Sequence, residues 1–181
     1  MRLLRTNFII SVLLLFSLSA LGQTRAPSDY LVSFVDTTKD EYGYKNQNGD
    51  IVIELGKYSI CFTDTFKTYA IVLKPHAGFV AINRQQKVLY EIFPFDNGPD
   101  YPSEGLFRIL KNNKIGYADS TTGKIIIKPQ FDCAFPFANG IAKVSTNCKE
   151  KSDGEHAIWI SNSWFYIDKK GRKVDSKGRT K

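Results

Sequence analysis

The sequence holds little from which to build a metal centre or a familiar enzyme site. Its 181 residues include 3 cysteines and 2 histidines, too few for a structural zinc framework. There is no G-x-S-x-G elbow, no H-E-x-x-H, no phosphate-binding glycine loop and no paired C-x-x-C, so the chain is not expected to be an enzyme. No cofactor is expected. Beyond residue 22 no apolar run approaches the roughly 20 residues of a membrane helix, and no stretch of about a dozen residues shows helical apolar spacing. What remains is globular in composition, with 43% hydrophobic and 24% charged residues, which excludes a disordered or collagen-like chain. The length suits one compact domain or two small ones.

Residues 1–22 read as a signal peptide. Arg2 and Arg5 precede the apolar run Phe8–Leu18, and Ala20-Leu21-Gly22 sets small residues where a signal peptidase reads. Cleavage before Gln23 is expected, with export to the periplasm or beyond; an uncleaved anchor is the other reading. The residue after the cut is not cysteine, which argues against a lipoprotein. The cut leaves 159 residues and lowers the net charge from +7 to +5. Residues 169–181 carry Lys169, Lys170, Arg172, Lys173, Lys177, Arg179 and Lys181 against Asp175, so the body is close to neutral. Basicity confined to the two ends does not suggest a nucleic-acid partner. Residues 175–181 read as a basic tail.

Internal repetition decides the expected fold. Around Gly116 the chain reads Lys114-Ile115-Gly116-Tyr117-Ala118-Asp119, a turn to Gly123, then Ile125-Ile126-Ile127-Lys128-Pro129, Phe135-Pro136-Phe137 and Asn139-Gly140-Ile141-Ala142. The same order occurs around Gly43, with Asn48-Gly49 and Ile51-Val52-Ile53, and around Gly78, with Val88-Leu89-Tyr90 and Glu104-Gly105. A partial copy begins at Trp164-Phe165-Tyr166-Ile167-Asp168. Asn-Gly between β-rich runs is a hairpin signal, and the unbroken Ile-rich runs suggest strands covered on both faces or at a packed centre. The spacing predicts an all-β array of antiparallel hairpin units, about three and a half copies, open or partly closed, with no helix after residue 22. Residues 23–40 are expected to cap it, the repeats to span 41–174, and 149–163 to be an insertion. No unit of this size buries a hydrophobic face alone, so neighbours must stack.

The pattern resembles the WG-repeat family, most clearly over 114–144. The aromatic-Gly start, the Asp-x-x-Gly-Lys-type turn, the Ile-rich strand ending in proline and the Gly-Ile-Ala close carry the resemblance. The chain departs from it in having no Trp-Gly dipeptide: Tyr42, Ala77, Ile115 and Trp164 stand at the tryptophan position. The resemblance implies a bacterial β-repeat protein without an assigned activity, and brings no catalytic residues.

The candidate binding residues are Asp100, Tyr101, Trp159 and Trp164. Asp100 and Tyr101 lie in the loop 96–104, whose Asp96, Asp100 and Glu104 read either as a rigid turn or as carboxylates for a cation or a glycan. Asp96 aligns with Asp132 in this reading, and Glu104 with Asn139. Trp159 lies in the insertion, where recognition loops concentrate. Cys133 and Cys148 can form a disulfide, free thiols and a bridge using Cys61 being the alternatives. The expected function is a non-catalytic module binding protein or glycan in the envelope or outside the cell. The alternative is a hydrolase of envelope polymers using the 96–104 carboxylates.

Overall fold

The computed structural model describes residues 29–153 and 156–180; the expected signal peptide lies outside the described residues. No helix occurs among these residues, and none is therefore long and apolar enough to cross a membrane. The described residues form four successive antiparallel meanders. The first is β1 (Leu31–Asp36), β2 (Glu41–Asn46) and β3 (Ile51–Tyr58), followed by the short β4 (Ile60–Cys61) and β5 (Thr65–Phe66). The second is β6 (Tyr69–Lys74), β7 (Gly78–Asn83) and β8 (Val88–Ile92), followed by a small hairpin of β9 (Pro94–Phe95) and β10 (Gly98–Pro99). The third is β11 (Leu106–Lys111), β12 (Lys114–Asp119) and β13 (Ile125–Phe131), followed by β14 (Cys133–Ala134). The fourth opens with β15 (Ile141–Ser145). It then inserts a hairpin of β16 (Lys149–Asp153) and β17 (His156–Ile160) before closing with β18 (Phe165–Asp168) and β19 (Lys173–Val174).

Each meander hands its last residues to the first strand of the next. Cys61 pairs with Val72, Ile92 with Ile109 and Ala134 with Val144. The buried side chains follow the same logic. One cluster joins Leu31, Tyr44 and Ile53 of the first unit to Ala70, Val72 and Ile82 of the second. A second cluster joins Ala81 and Tyr90 to Phe107 and Ile109, and a third joins Tyr117 and Ile127 to Ala142, Val144 and Ile167. Every core lies between two units, the arrangement in which stability resides in nearest-neighbour interfaces.

The second strand of each unit ends on Asn46, Asn83, Asp119 or Asp168. Their Oδ1 atoms each accept two backbone N–H groups of the following turn, as Asn46 does from Asn48 and Asp50. An Asx side chain mimics a backbone turn in this way. These four positions are 37, 36 and 49 residues apart. Asp175 builds a fifth such turn with Lys177 and Arg179, and Val174 bridges to Thr180. Residues 175–180 thus fold into a turn against β19.

Two expectations about the strands are corrected. Gly78 is not the counterpart of Gly43 and Gly116. It sits in the turn between β6 and β7 with φ +74° and nothing within 4 Å of a built Cβ. The register places Val80 opposite Val72, as Gly116 lies opposite Ile109 and Gly43 opposite Phe34. The tryptophan position of the second unit is consequently Phe79 rather than Ala77. The reason is a bulge. A Cβ on Gly116 would lie 2.5 Å from Ile127 O and Pro129 N, and one on Gly43 would lie 2.7 Å from Ile53 O. At both places the ladder to the third strand is broken beside the glycine, whereas Val80 pairs regularly with Glu91. β8 accordingly has 5 residues where β13 has 7 and β3 has 8.

The β-branched runs are not covered on both faces either. A register shift common to the first three units skips Val52, Leu89 and Ile126. A bulge of this kind turns two consecutive side chains outward. Ile51-Val52, Val88-Leu89 and Ile125-Ile126 are between 37% and 50% exposed, while the next residues Ile53, Tyr90 and Ile127 are buried.

Candidate functional site

The four meanders repeat, so the departures from repetition locate the site. Two stand out. The linker after β8 is longer than the one after β13 and folds as the β9–β10 hairpin, turning on Asp96 and Asn97 with φ 46° and 63°. The reading of Asp96 as the counterpart of Asp132 is therefore corrected: Asp96 belongs to an added turn. Glu104-Gly105 and Asn139-Gly140 do correspond, all four having positive φ and each pair closed by a bridge, Ser103 to Leu106 and Ala138 to Ile141. The second departure is the β16–β17 hairpin, which replaces the two-residue Asn112-Asn113 turn of the third unit.

Both additions lean over one cleft of about 490 Å³, within the range of small-ligand pockets. Phe95 comes from the first hairpin, and Glu150, Ile158 and Trp159 from the second. Phe93 and Phe135 come from the scaffold linkers. Trp159 stands edge-on to both, with ring centroids 5.8 Å from Phe93 and 5.4 Å from Phe135. Phe93 and Phe135 are equivalent: their N–H groups bond to the carbonyls of Arg108 and Lys143 in the first strand of the next unit. Phe-Pro-Phe occurs at both places. Phe137 of the second copy packs on Tyr117 with centroids 4.8 Å apart, but its counterpart Phe95 is diverted outward by the added turn and is half exposed.

Arg108 lines the buried side of the cleft. It and Asp100 are each only 4% exposed. Asp100 Oδ2 accepts the backbone N–H of Arg108 at 2.7 Å and its Nε–H at 3.1 Å, and Oδ1 accepts from its Nη2. Arg108 also donates to Ala134 O at 3.3 Å. A fork of this kind fixes a planar group in one orientation. The guanidinium lies 4.2 Å from the Phe93 centroid and 5.7 Å from that of Phe95.

The inserted hairpin is tied at its base. Cys133 and Cys148 are joined, with Cα atoms 5.9 Å apart. Ser145 Oγ meets Ser161 Oγ at 2.8 Å, and Ser161 Oγ donates to Asn147 O at 2.7 Å. Cys61 is a buried free thiol, pushed up to about 11 by burial, and takes no part.

Of the sequence-derived candidates, Trp159 lines the cleft and Trp164 adjoins it, its ring tilted against that of Phe135 with centroids 5.5 Å apart. Asp100 is buried behind the cleft as the partner of Arg108. Tyr101 is 66% exposed and lies outside the cleft lining. Glu104 is not free either: it takes the Gly140 N–H at 3.0 Å and pairs with Lys169 at 3.1 Å. The Lys169 side chain first, with the Gly140 N–H, holds its carboxyl below the usual range. Among the described residues no cluster of three metal-ligating side chains occurs. Sequence reasoning missed Phe93, Phe95, Phe135 and Arg108. The doubled Phe-Pro-Phe and an arginine inside the apolar strand Leu106–Lys111 were the signals available.

No curated protein and no solved structure matches the chain. Residues 115–149, running from β12 to the start of the inserted hairpin, match the sequence model of the family described as WG containing repeat, and the protein carries a repeat of that family there.

Proposed function

We propose that the chain is a non-catalytic binding module, in which the repeats serve as a rigid support and the aromatic cleft receives a partner. The single observation that carries this reading is the convergence of both added hairpins on one cleft. Stacking of the repeats needs neither hairpin, yet between them they supply Phe95, Glu150, Ile158 and Trp159. A protein is favoured over a glycan as the partner. The lining is rich in rings and poor in the hydrogen-bonding groups that buried sugar hydroxyls would require. A non-catalytic role is supported by the engagement of Asp100 and Glu104 in ion pairs. In the same proposal the N-terminal segment directs export, and the Cys133–Cys148 bond suits an oxidising compartment.

The test is a screen of peptide and glycan arrays with the chain from residue 23, alongside Trp159→Ala and Phe135→Ala. Partners should be lost with either substitution. Binding indifferent to both, or turnover of an envelope polymer that Asp100→Asn abolishes, would overturn the proposal.

A further inference from the structure

We infer that the cleft takes a basic side chain, arginine or lysine, presented on an extended segment of a protein partner. This deepens the binding reading and rests on it.

The rings around the cleft already hold cations of their own chain. Arg108 lies over Phe93 and Phe95. Lys143 lies 4.8 Å from the Trp164 centroid and 6.0 Å from that of Phe135. The corresponding residue of the second unit is Ile71, whose carbonyl takes the N–H of Phe62. A cation at this position is therefore not something the repeat demands: Arg108 and Lys143 are choices of the two units beside the cleft, although Arg84 also lies 5.9 Å from the Phe66 ring in the first linker. Aromatic faces attract guanidinium and ammonium groups through their quadrupoles, most strongly where water is excluded.

The charge balance points the same way. Arg108 and Glu150 are the charged residues of the lining. Asp100 pairs with Arg108 from behind, which leaves Glu150 as the acid of the lining, with Lys143 beside the cleft against Trp164 and Phe135. Glu150 is exposed and lies directly across the hairpin from Trp159, which puts a carboxylate and an indole on one face of the ribbon. An incoming cation meets a ring and an acid together. The remaining apolar lining, Phe95, Phe135 and Ile158, is 41% to 50% exposed and suits the aliphatic stem and flanking residues of a peptide.

The experiment follows tryptophan emission of the chain from residue 23 during titration with Gly-Gly-X-Gly-Gly peptides, X being arginine, citrulline or norleucine, and with a neutral oligosaccharide. The arginine peptide should bind about tenfold more tightly than the citrulline peptide. Glu150→Gln, a surface change that leaves the fold intact, should shrink that gap to less than about threefold. Equal binding of arginine and citrulline, or a gap untouched by Glu150→Gln, overturns the inference. If a neutral probe then binds in a manner lost on Trp159→Ala, the cleft reading stands and only the ligand class fails. If no probe binds in a Trp159-dependent manner, both fail.

Discussion

Replacing Gly116 by alanine tests the link between the glycine and the bulge. The added methyl would lie 2.5 Å from both Ile127 O and Pro129 N, and 2.9 Å from Lys128 C. These are backbone atoms of β13, so no rotamer change relieves the contact. Restoring ordinary separation requires β13 to retreat by about 1 Å, which disrupts the pairings of Ile115 with Phe131 and Tyr117 with Ile127. Two weakened ladder bonds at about 1 kcal/mol each and an overpacking cost of about 1–3 kcal/mol give a loss of about 3–5 kcal/mol. That is a large share of a typical domain's 5–15 kcal/mol. Gly78→Ala meets no neighbour and bears only its positive φ, about 1–2 kcal/mol. Urea unfolding followed by tryptophan fluorescence measures both. A further arm exchanges Ile125–Phe131 for the β8 sequence Val88–Ile92 together with Gly116→Val, and should recover at least half of the loss. If Gly116→Ala costs no more than Gly78→Ala, the coupling of glycine to bulge is wrong.

Other expectations follow from the same geometry. Reducing the Cys133–Cys148 bond releases a constraint of 15 residues' separation, worth about 3 kcal/mol in the chain-entropy model; calorimetry with and without reductant should show the transition fall by roughly 6–12 °C, and an unchanged transition would refute this. Asp100→Asn leaves the Arg108 charge buried without its counter-ion and should cost about 3–5 kcal/mol, whereas Asp100→Leu with Arg108→Met should lie nearer to wild type; chemical denaturation separates the two. Acid should destabilise the turns. The Thr122 hydroxyl and N–H hold the Asp119 carboxyl below its usual range, and the Arg179 N–H does the same at Asp175. A depressed carboxyl stabilises the fold above its unfolded value of about 4 and loses that contribution as pH falls through the lower folded value. Urea midpoints should be flat above about pH 5 and decline below about pH 4. Asp119→Asn, which copies Asn46 and Asn83, should remove part of the decline with little effect at neutral pH; the same decline in the variant would refute it.

The repeating β architecture was legible because its signals are local. Asn48-Gly49, Glu104-Gly105, Asn139-Gly140 and the Asx turns act over two to five residues, and the structure uses all of them. The glycine register of the second unit was misread because two glycines serve different ends: Gly116 makes room for a crossing backbone, while Gly78 supplies a positive φ, and a sequence does not distinguish these. The exposed Ile-rich pairs were misread because an unbroken apolar run was taken to mean burial, where a bulge turns two consecutive side chains outward. The cleft was half legible. Trp159 stood out by type and by lying in an insertion. Arg108 and Phe93 did not, since their role depends on a linker and a hairpin some 50 residues apart in sequence meeting in space.

The manner in which the β16–β17 ribbon is attached separates its anchoring from the face it exposes. Its feet are held by the Cys133–Cys148 bond and the Ser145–Ser161 contact, while the strands flanking it, β15 and β18, pair with each other from Ile141–Asp168 to Val144–Phe165 as though nothing intervened. If the cleft binds as proposed, substitutions at exposed ribbon positions such as Glu150 would alter what is recognised and leave the β15–β18 pairing in place, whereas Trp159 is also packed on Phe93 and Phe135 of the scaffold. Such a joint would make the ribbon an exchangeable head on a fixed handle: a different twelve-residue head in place of residues 149–160, mounted between Cys148 and Ser161 with the ring at 159 kept, would give the molecule a new preference while its handle stayed as it is.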